Sequence, residues 1–231
     1  MQRSLLASAF AIAMAGAVTL AAQDKVKAPI PQPGVPEIVT MEGKFVRAAY
    51  NNEGYVIIGY QVANRSIGDK FMMLDMGTTV RDGVPEFDLK RDAISVTTPD
   101  NQTVPMMTVE AYRAADMRAV ENRARVQRDS INYFPPSATQ ACRIGFFAEP
   151  GRPAMAWDQV AVSNRRACGG KLFFEIPGGI VYGQYFLNVQ FKNTQIRVPF
   201  RIITADEEKV LSKNYGDIRK QIKAAFQPKK K

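Results

Sequence analysis

The sequence predicts a mainly β protein: an antiparallel β-sandwich with one inserted helix and an amphipathic helix at its C-terminus. Three observations carry this expectation. Residues 183–203 alternate apolar and polar on both sides of a short polar break, the period of a half-buried antiparallel hairpin. Shorter runs rich in β-branched and aromatic residues recur between positions 38 and 176, bounded by Gly, Pro, Asn or Asp, as strands and turns are. Residues 108–130 and 204–226 have the composition or spacing of helices.

In the hairpin, Tyr185, Leu187, Val189 and Phe191 face Ile196, Val198, Phe200 and Ile202. Pairing Phe191 with Ile196, Val189 with Val198, Leu187 with Phe200 and Tyr185 with Ile202 places all eight on one face. Pro199 has no N–H to give. A four-residue loop at 192–195 sets it at a non-hydrogen-bonded pair, with the missing donor turned away from the partner strand, so a sheet edge or bulge is expected there.

At the start of the chain, residues 1–22 read as a signal peptide: Arg3 ahead of a small-apolar run that opens into Ala21 and Ala22. Residues 23–37 are a Pro-rich tether, unsuited to helix or central strand. The sandwich is expected over 38–203, with strands at 44–50 and 55–63 around a turn at 51–54, and a further apolar run at 70–76. A second hairpin joins 93–97 to 103–106 through Pro99 and Asn101. Residues 108–130 lack Gly and Pro and are rich in Ala, Glu, Arg and Met, which predicts one inserted helix, capped by Thr108, with Tyr112, Met117, Val120 and Ala124 inward. Strands resume at 142–148. Residues 155–163 read as strand or short helix, 168–170 as a turn and 172–176 as a strand. Residues 204–231 form a terminal helix and basic tail: Thr204 and Glu207 make a capping box, and Leu211, Tyr215, Ile218, Ile222 and Phe226 recur at helical spacing. That stripe predicts docking on the sandwich. The alternatives are self-association through Leu211, Tyr215, Ile218, Ile222 and Ala225, or a membrane surface.

The two cysteines, Cys142 and Cys168, are the only possible pair, and an exported chain favours joining them. After signal removal no stretch is apolar enough to span a bilayer. The chain has no histidine, which excludes imidazole metal sites and Ser-His or Cys-His nucleophiles. No phosphate-binding glycine motif occurs. Neither a metal nor a cofactor is therefore expected. Asp82, Glu86 and Asp88 match no calcium loop. Glu175 and Asp75 are carboxylates that a glycan hydrolase would need, but nothing selects them. The net charge of +9 and pI of about 9.6 direct attention to Arg113, Arg118, Arg123, Arg125 and Arg128, with Lys229, Lys230 and Lys231, as contacts for an anionic partner. Acidic residues interleave with those arginines, the pattern of a solvated helix face. Asn64 and Asn101 stand in glycosylation sequons.

The ordering of signal, Pro-rich tether, short strands with turn signals and one helical interruption resembles exported immunoglobulin-like β-sandwich domains over residues 38–203. That resemblance carries over no catalytic residue, and the Cys142, Trp157, Cys168 spacing departs from the inter-sheet disulfide of antibody domains. The stretch YVIIGYQVANRS (55–66) is also similar to periplasmic pilus chaperones, two-domain proteins in which a helix over 108–130 has no counterpart. The expectation is a non-enzymatic, periplasmic or secreted protein that binds another envelope protein or a polymer. The alternatives are a carboxylate-dependent hydrolase of envelope glycan and a basic binder of an anionic polymer without nucleic-acid specificity.

Overall fold

A computed structural model describes residues 38–127, 129–148 and 155–226, with side chains through Tyr215. The expected signal peptide and tether, Arg128 and Lys229, Lys230 and Lys231 lie outside the described residues. The chain runs β1 (Ile38–Gly43), β2 (Val46–Tyr50), β3 (Gly54–Gly59), a single helical turn α1 (Gln61–Asn64), β4 (Phe71–Val80), β5 (Phe87–Lys90), β6 (Ile94–Thr97) and β7 (Thr103–Pro105). It continues through α2 (Val109–Ala114), α3 (Arg118–Val126), β8 (Gln140–Arg143), β9 (Gln159–Val162), β10 (Arg166–Glu175), β11 (Gly183–Gln190), β12 (Gln195–Ile202) and α4 (Ala205–Phe226).

The molecule is mainly β. One sheet has the order β1-β2-β3-β4-β10-β8, a second β12-β11-β6-β7, and β5 pairs with β9. Among the described residues every strand pairing is antiparallel except β8 beside β10, which is parallel over four residues and departs from the all-antiparallel expectation. Val56, Ile58, Leu74 and Met76 of the first sheet and Leu187, Val189, Ile196 and Val198 of the second share one buried cluster. Two sheets sharing one core are consistent with a β-sandwich, and each such side chain contributes about 1.5–3 kcal/mol by leaving water.

The hairpin forms, but two residues out of the expected register: Val189 pairs with Ile196, Leu187 with Val198 and Tyr185 with Phe200. An even shift preserves the apolar face, so alternation alone could not detect it. The turn decides the register. Buried Glu53 accepts the Asn193 N–H at 3.1 Å and the Thr194 hydroxyl at 2.7 Å, and Asn51 donates to the same hydroxyl at 2.9 Å. Phe191 therefore leaves the ladder and turns into the core, where the Cβ position at Gly54 lies 2.2 Å from its ring. Its N–H donates to the Thr194 carbonyl at 2.7 Å. By alternation, Phe186 and Pro199 form a non-hydrogen-bonded pair. The missing proline donor then points off the sheet, and β12 is an edge strand as expected.

Four other expectations are corrected. The strand over 55–63 stops at Gly59, and α1 follows. The strand over 142–148 gives way to β8 at Gln140–Arg143. Residues 168–170 are not a turn but the middle of β10, where a Cβ on Gly170 would stand 2.4 Å from the Ile144 carbonyl oxygen. The single helix over 108–130 is two helices: α2 ends at Ala114 and α3 begins at Arg118, whose N–H donates to Asp116 at 3.2 Å in the turn between them. Of its expected inner face, Met117, Val120 and Ala124 are buried and Tyr112 is half-buried against the core.

Cys142 and Cys168 are directly paired on β8 and β10, with their sulfurs at bonding distance, 2.20 Å. No helix among the described residues is long and apolar enough to cross a membrane. The capping box is present: Glu207 N–H donates to Thr204 Oγ1 at 3.2 Å, and Thr204 N–H to Glu207 Oε2 at 2.9 Å. The first half of α4 docks as expected. Leu211 packs at the margin of the core, the Tyr215 hydroxyl donates to the Glu42 carbonyl at 2.9 Å, and Glu208 pairs with Lys44 and Arg65. The side chains of Ile218, Ile222, Ala225 and Phe226 lie outside the described residues.

Candidate functional site

The outer face of the six-stranded sheet carries the features from which a site can be built. Val46, Ala48 and Ile57 form a small second cluster there, and Ile131 and Phe134 pack onto it from residues 129–137, which cross the face as a strap. Pro135 and Pro136 keep that segment out of helix. The sheet is recessed to receive it: a Cβ on Gly77 would lie 2.8 Å from the Phe134 ring, and one on Gly59 3.1 Å from Ile131 Cγ2. Phe134 is a wall common to two clefts, one on each side of the strap.

The larger cleft, about 660 Å³, lies between the strap, α2, α3, β8 and β10. Its walls include Glu121, Asp129, Arg143 and Lys171. Tyr112, Phe147 and Phe173 form an aromatic triad there, with ring centroids 4.8 to 5.1 Å apart. The Tyr112 hydroxyl donates to Glu121 at 2.8 Å. Burial, then that bond, raises the Tyr112 pKa. Burial also raises the pKa of Asp129, and the Asp75 charge adds to it; the Gln61 N–H opposes the rise, as do Lys44 and Arg47. Asp129 Oδ2 is buried without a hydrogen-bond partner.

The second cleft, about 530 Å³, opens beyond the ends of β2, β3 and β4. Tyr50 and Tyr55 are directly paired there, their rings stacked 5.4 Å apart at 21°. The Arg81 guanidinium lies 5.8 Å from the Tyr50 ring and donates to the Asn51 carbonyl at 3.1 Å. Tyr133 and Phe134 close the strap side, and Thr40 and Glu42 of edge strand β1 close the other. Burial, then the Glu42 and Tyr50 charges, push the Tyr55 phenol up to about 12, so it stays protonated and a donor at neutral pH.

Of the arginines singled out in the sequence, Arg113, Arg118, Arg123 and Arg125 are described. Arg118 forms two bonds to Asp116, at 2.8 and 2.5 Å. Arg123 pairs with Asp69 and donates to Ser66 at 2.9 Å, which ties α3 to the turn after α1. Arg113 on α2 and Arg125 on α3 are exposed. Asp82, Glu86 and Asp88 have separate partners, Asn164, Arg166 and Gln159. Among the described residues no three acidic, Cys or His groups come together to hold a metal. Asn64 is buried with its side-chain oxygen on the Ile203 N–H at 2.7 Å, so that sequon is not accessible; Asn101 is exposed. Glu175 is exposed and paired with Lys70, whereas Asp75 is buried beside Asp129.

No protein-family model, no curated protein and no solved structure matches this chain. The two clefts are therefore the features from which its function is read.

Proposed function

We propose that the protein is a non-enzymatic, exported binding module that presents an immunoglobulin-like sandwich and holds an envelope or secreted macromolecule on the outer face of its six-stranded sheet. One observation carries this reading: the strap covers only part of that face and leaves open clefts on both sides, walled by aromatic rings and charged groups. Concave sites of this size with a few oriented polar groups are where ligands bind. The signal-like leader and the Cys142–Cys168 pair support an oxidising, exported setting. The test is capture from a native envelope fraction at low and high salt, by the parent protein and by a Tyr50→Ser/Tyr133→Ser variant. The same partner should be retained by the parent and lost by the variant. Equal retention by both overturns the assignment to this face. Loss by the parent at high salt alone favours the exposed arginines and an anionic polymer.

A second reading rests on Asp129. A carboxyl with a raised pKa, sharing a cleft with Glu121, is the arrangement of a general acid beside a second carboxylate. Both groups also have structural duties, Glu121 to Tyr112 and Asp129 to the Gln61 N–H, and for that reason binding takes precedence. Release of reducing ends from envelope glycan by the parent protein, abolished in Asp129→Asn, would establish the hydrolase instead.

A further inference from the structure

We infer that the smaller cleft is a saccharide-binding site. This deepens the binding-module reading and rests on it. The ligand class follows from the chemistry of the walls. Among the described lining residues only Val80, Phe134 and Pro135 are apolar without a polar side-chain group, too little surface to drive insertion of an acyl chain or an apolar side chain. Formal charge nearly cancels, with Arg81 against Glu42 and Asp82, so electrostatics does not select a strongly charged polymer. What remains is a site for a neutral, hydroxyl-rich ligand that also offers flat hydrocarbon faces.

A pyranose has both properties. Its axial C–H bonds carry slight positive charge and lie well against the negative face of an aromatic ring. Tyr133, 38% exposed on the strap, and the stacked Tyr50 and Tyr55 supply rings on two sides of the cleft. Vicinal hydroxyls need paired acceptors and donors. Glu42 is oriented by the Thr40 hydroxyl at 2.7 Å and Asp82 by Asn164 at 2.9 Å, and a carboxylate has acceptor capacity beyond one such bond. Arg81 is held by its bond to Asn51, and its guanidinium is a fork of several donors. These groups are set before a ligand arrives, so little ordering cost falls on binding. The volume, about 530 Å³, lies in the range of ~300–1,000 Å³ that takes a small ligand. A proline-rich peptide would use the rings but leave the carboxylates and the guanidinium without a role, so the saccharide is favoured.

The experiment is calorimetric titration of the full chain with chitotetraose, cellotetraose and maltotetraose, and separately with a peptide of residues 25–36. At least one tetrasaccharide should bind saturably at one site. Tyr133→Ala should weaken it by about tenfold, the loss expected for removing one stacking ring, while Tyr133→Phe keeps the ring and stays within about threefold. Thermal unfolding of both variants is measured alongside; if Tyr133→Ala does not fold, Asp82→Asn takes its place, with the same weakening expected. No binding of any tetrasaccharide, equal binding by the variants, or binding of the peptide alone overturns the inference. Should the sugars fail while the face still captures its partner from the envelope fraction, the saccharide falls and the binding module stands. Should capture fail too, both fall.

Discussion

Glu208→Gln is a sharp test of how the terminal helix is held. Glu208 sits in the first turn of α4 with its side chain 13% exposed, between Arg65, at 2.5 and 2.7 Å, and Lys44 at 2.6 Å. Its pKa is lowered from 4.5 to about 2, first by the bond from Arg65. Taken whole, that difference corresponds to about 3 kcal/mol by linkage. Lys44 and Arg65 are each about a third exposed, so solvent screening reduces the expected loss to about 1–2 kcal/mol. For a domain of this size the melting temperature should fall by about 3–6 °C. A depressed carboxyl contributes stability above its unfolded value and loses it as pH falls toward the folded one. The difference between parent and variant should therefore be full at pH 7, shrink between about 4.5 and 2, and also shrink in high salt. Urea unfolding across that pH range measures it. If the two proteins unfold together at pH 7 and low salt, α4 is not held by this pair and docking through Glu208 is refuted.

Three further outcomes are expected. Gly54→Ala should cost about 1–3 kcal/mol, because the new methyl meets the Phe191 ring at 2.2 Å and the turn held by Glu53 prevents that ring from leaving; unchanged urea stability would mean that Phe191 does not fill that site. Reducing Cys142–Cys168, which encloses a separation of 26 residues, should lower stability by about 3.5 kcal/mol in the chain-entropy treatment, with intact mass and thiol alkylation reporting the bond itself. Asp129→Asn should stabilise the protein at pH 7: burial holds the carboxyl above its ordinary pKa, so its contribution is full at low pH and lost as pH rises through the folded value. A variant less stable than the parent at pH 7 would show that Lys44 and Arg47 outweigh burial.

Much of the fold could be read locally. Alternation marked β11 and β12, turn residues marked the β6–β7 hairpin, and Thr204 with Glu207 marked the start of α4. Most of the features that escaped the sequence had non-local causes. The hairpin register depends on Glu53, 140 residues before Asn193 in sequence, and a two-residue slip leaves every apolar side chain on its face. Gly169 and Gly170 look like a turn until Ile144 is placed against them. The long helix had the right composition, but Asp116 accepts the Arg118 N–H in a turn that divides it, and composition does not register such a turn within a favourable run.

The clefts were hidden for a related reason. A strand with one open face should alternate in burial, yet β3 and β4 are buried at nearly every position, as strands covered on both sides are. Gly59 and Gly77 are the trace of the cover: each leaves out a side chain where Ile131 or Phe134 must come down. The strap itself gave only Pro135 and Pro136, which mark the end of a helix and leave the path of the next residues open. Once the strap is in place its width sets how much of the face it covers. It is a single non-helical segment, narrower than a helix, so it covers Ile57 and Ala48 and leaves Tyr55 in the wall of one cleft and Lys171 in the wall of the other. A helix laid across the same sheet would have closed both clefts. The two prolines that excluded one are therefore what keeps both clefts open.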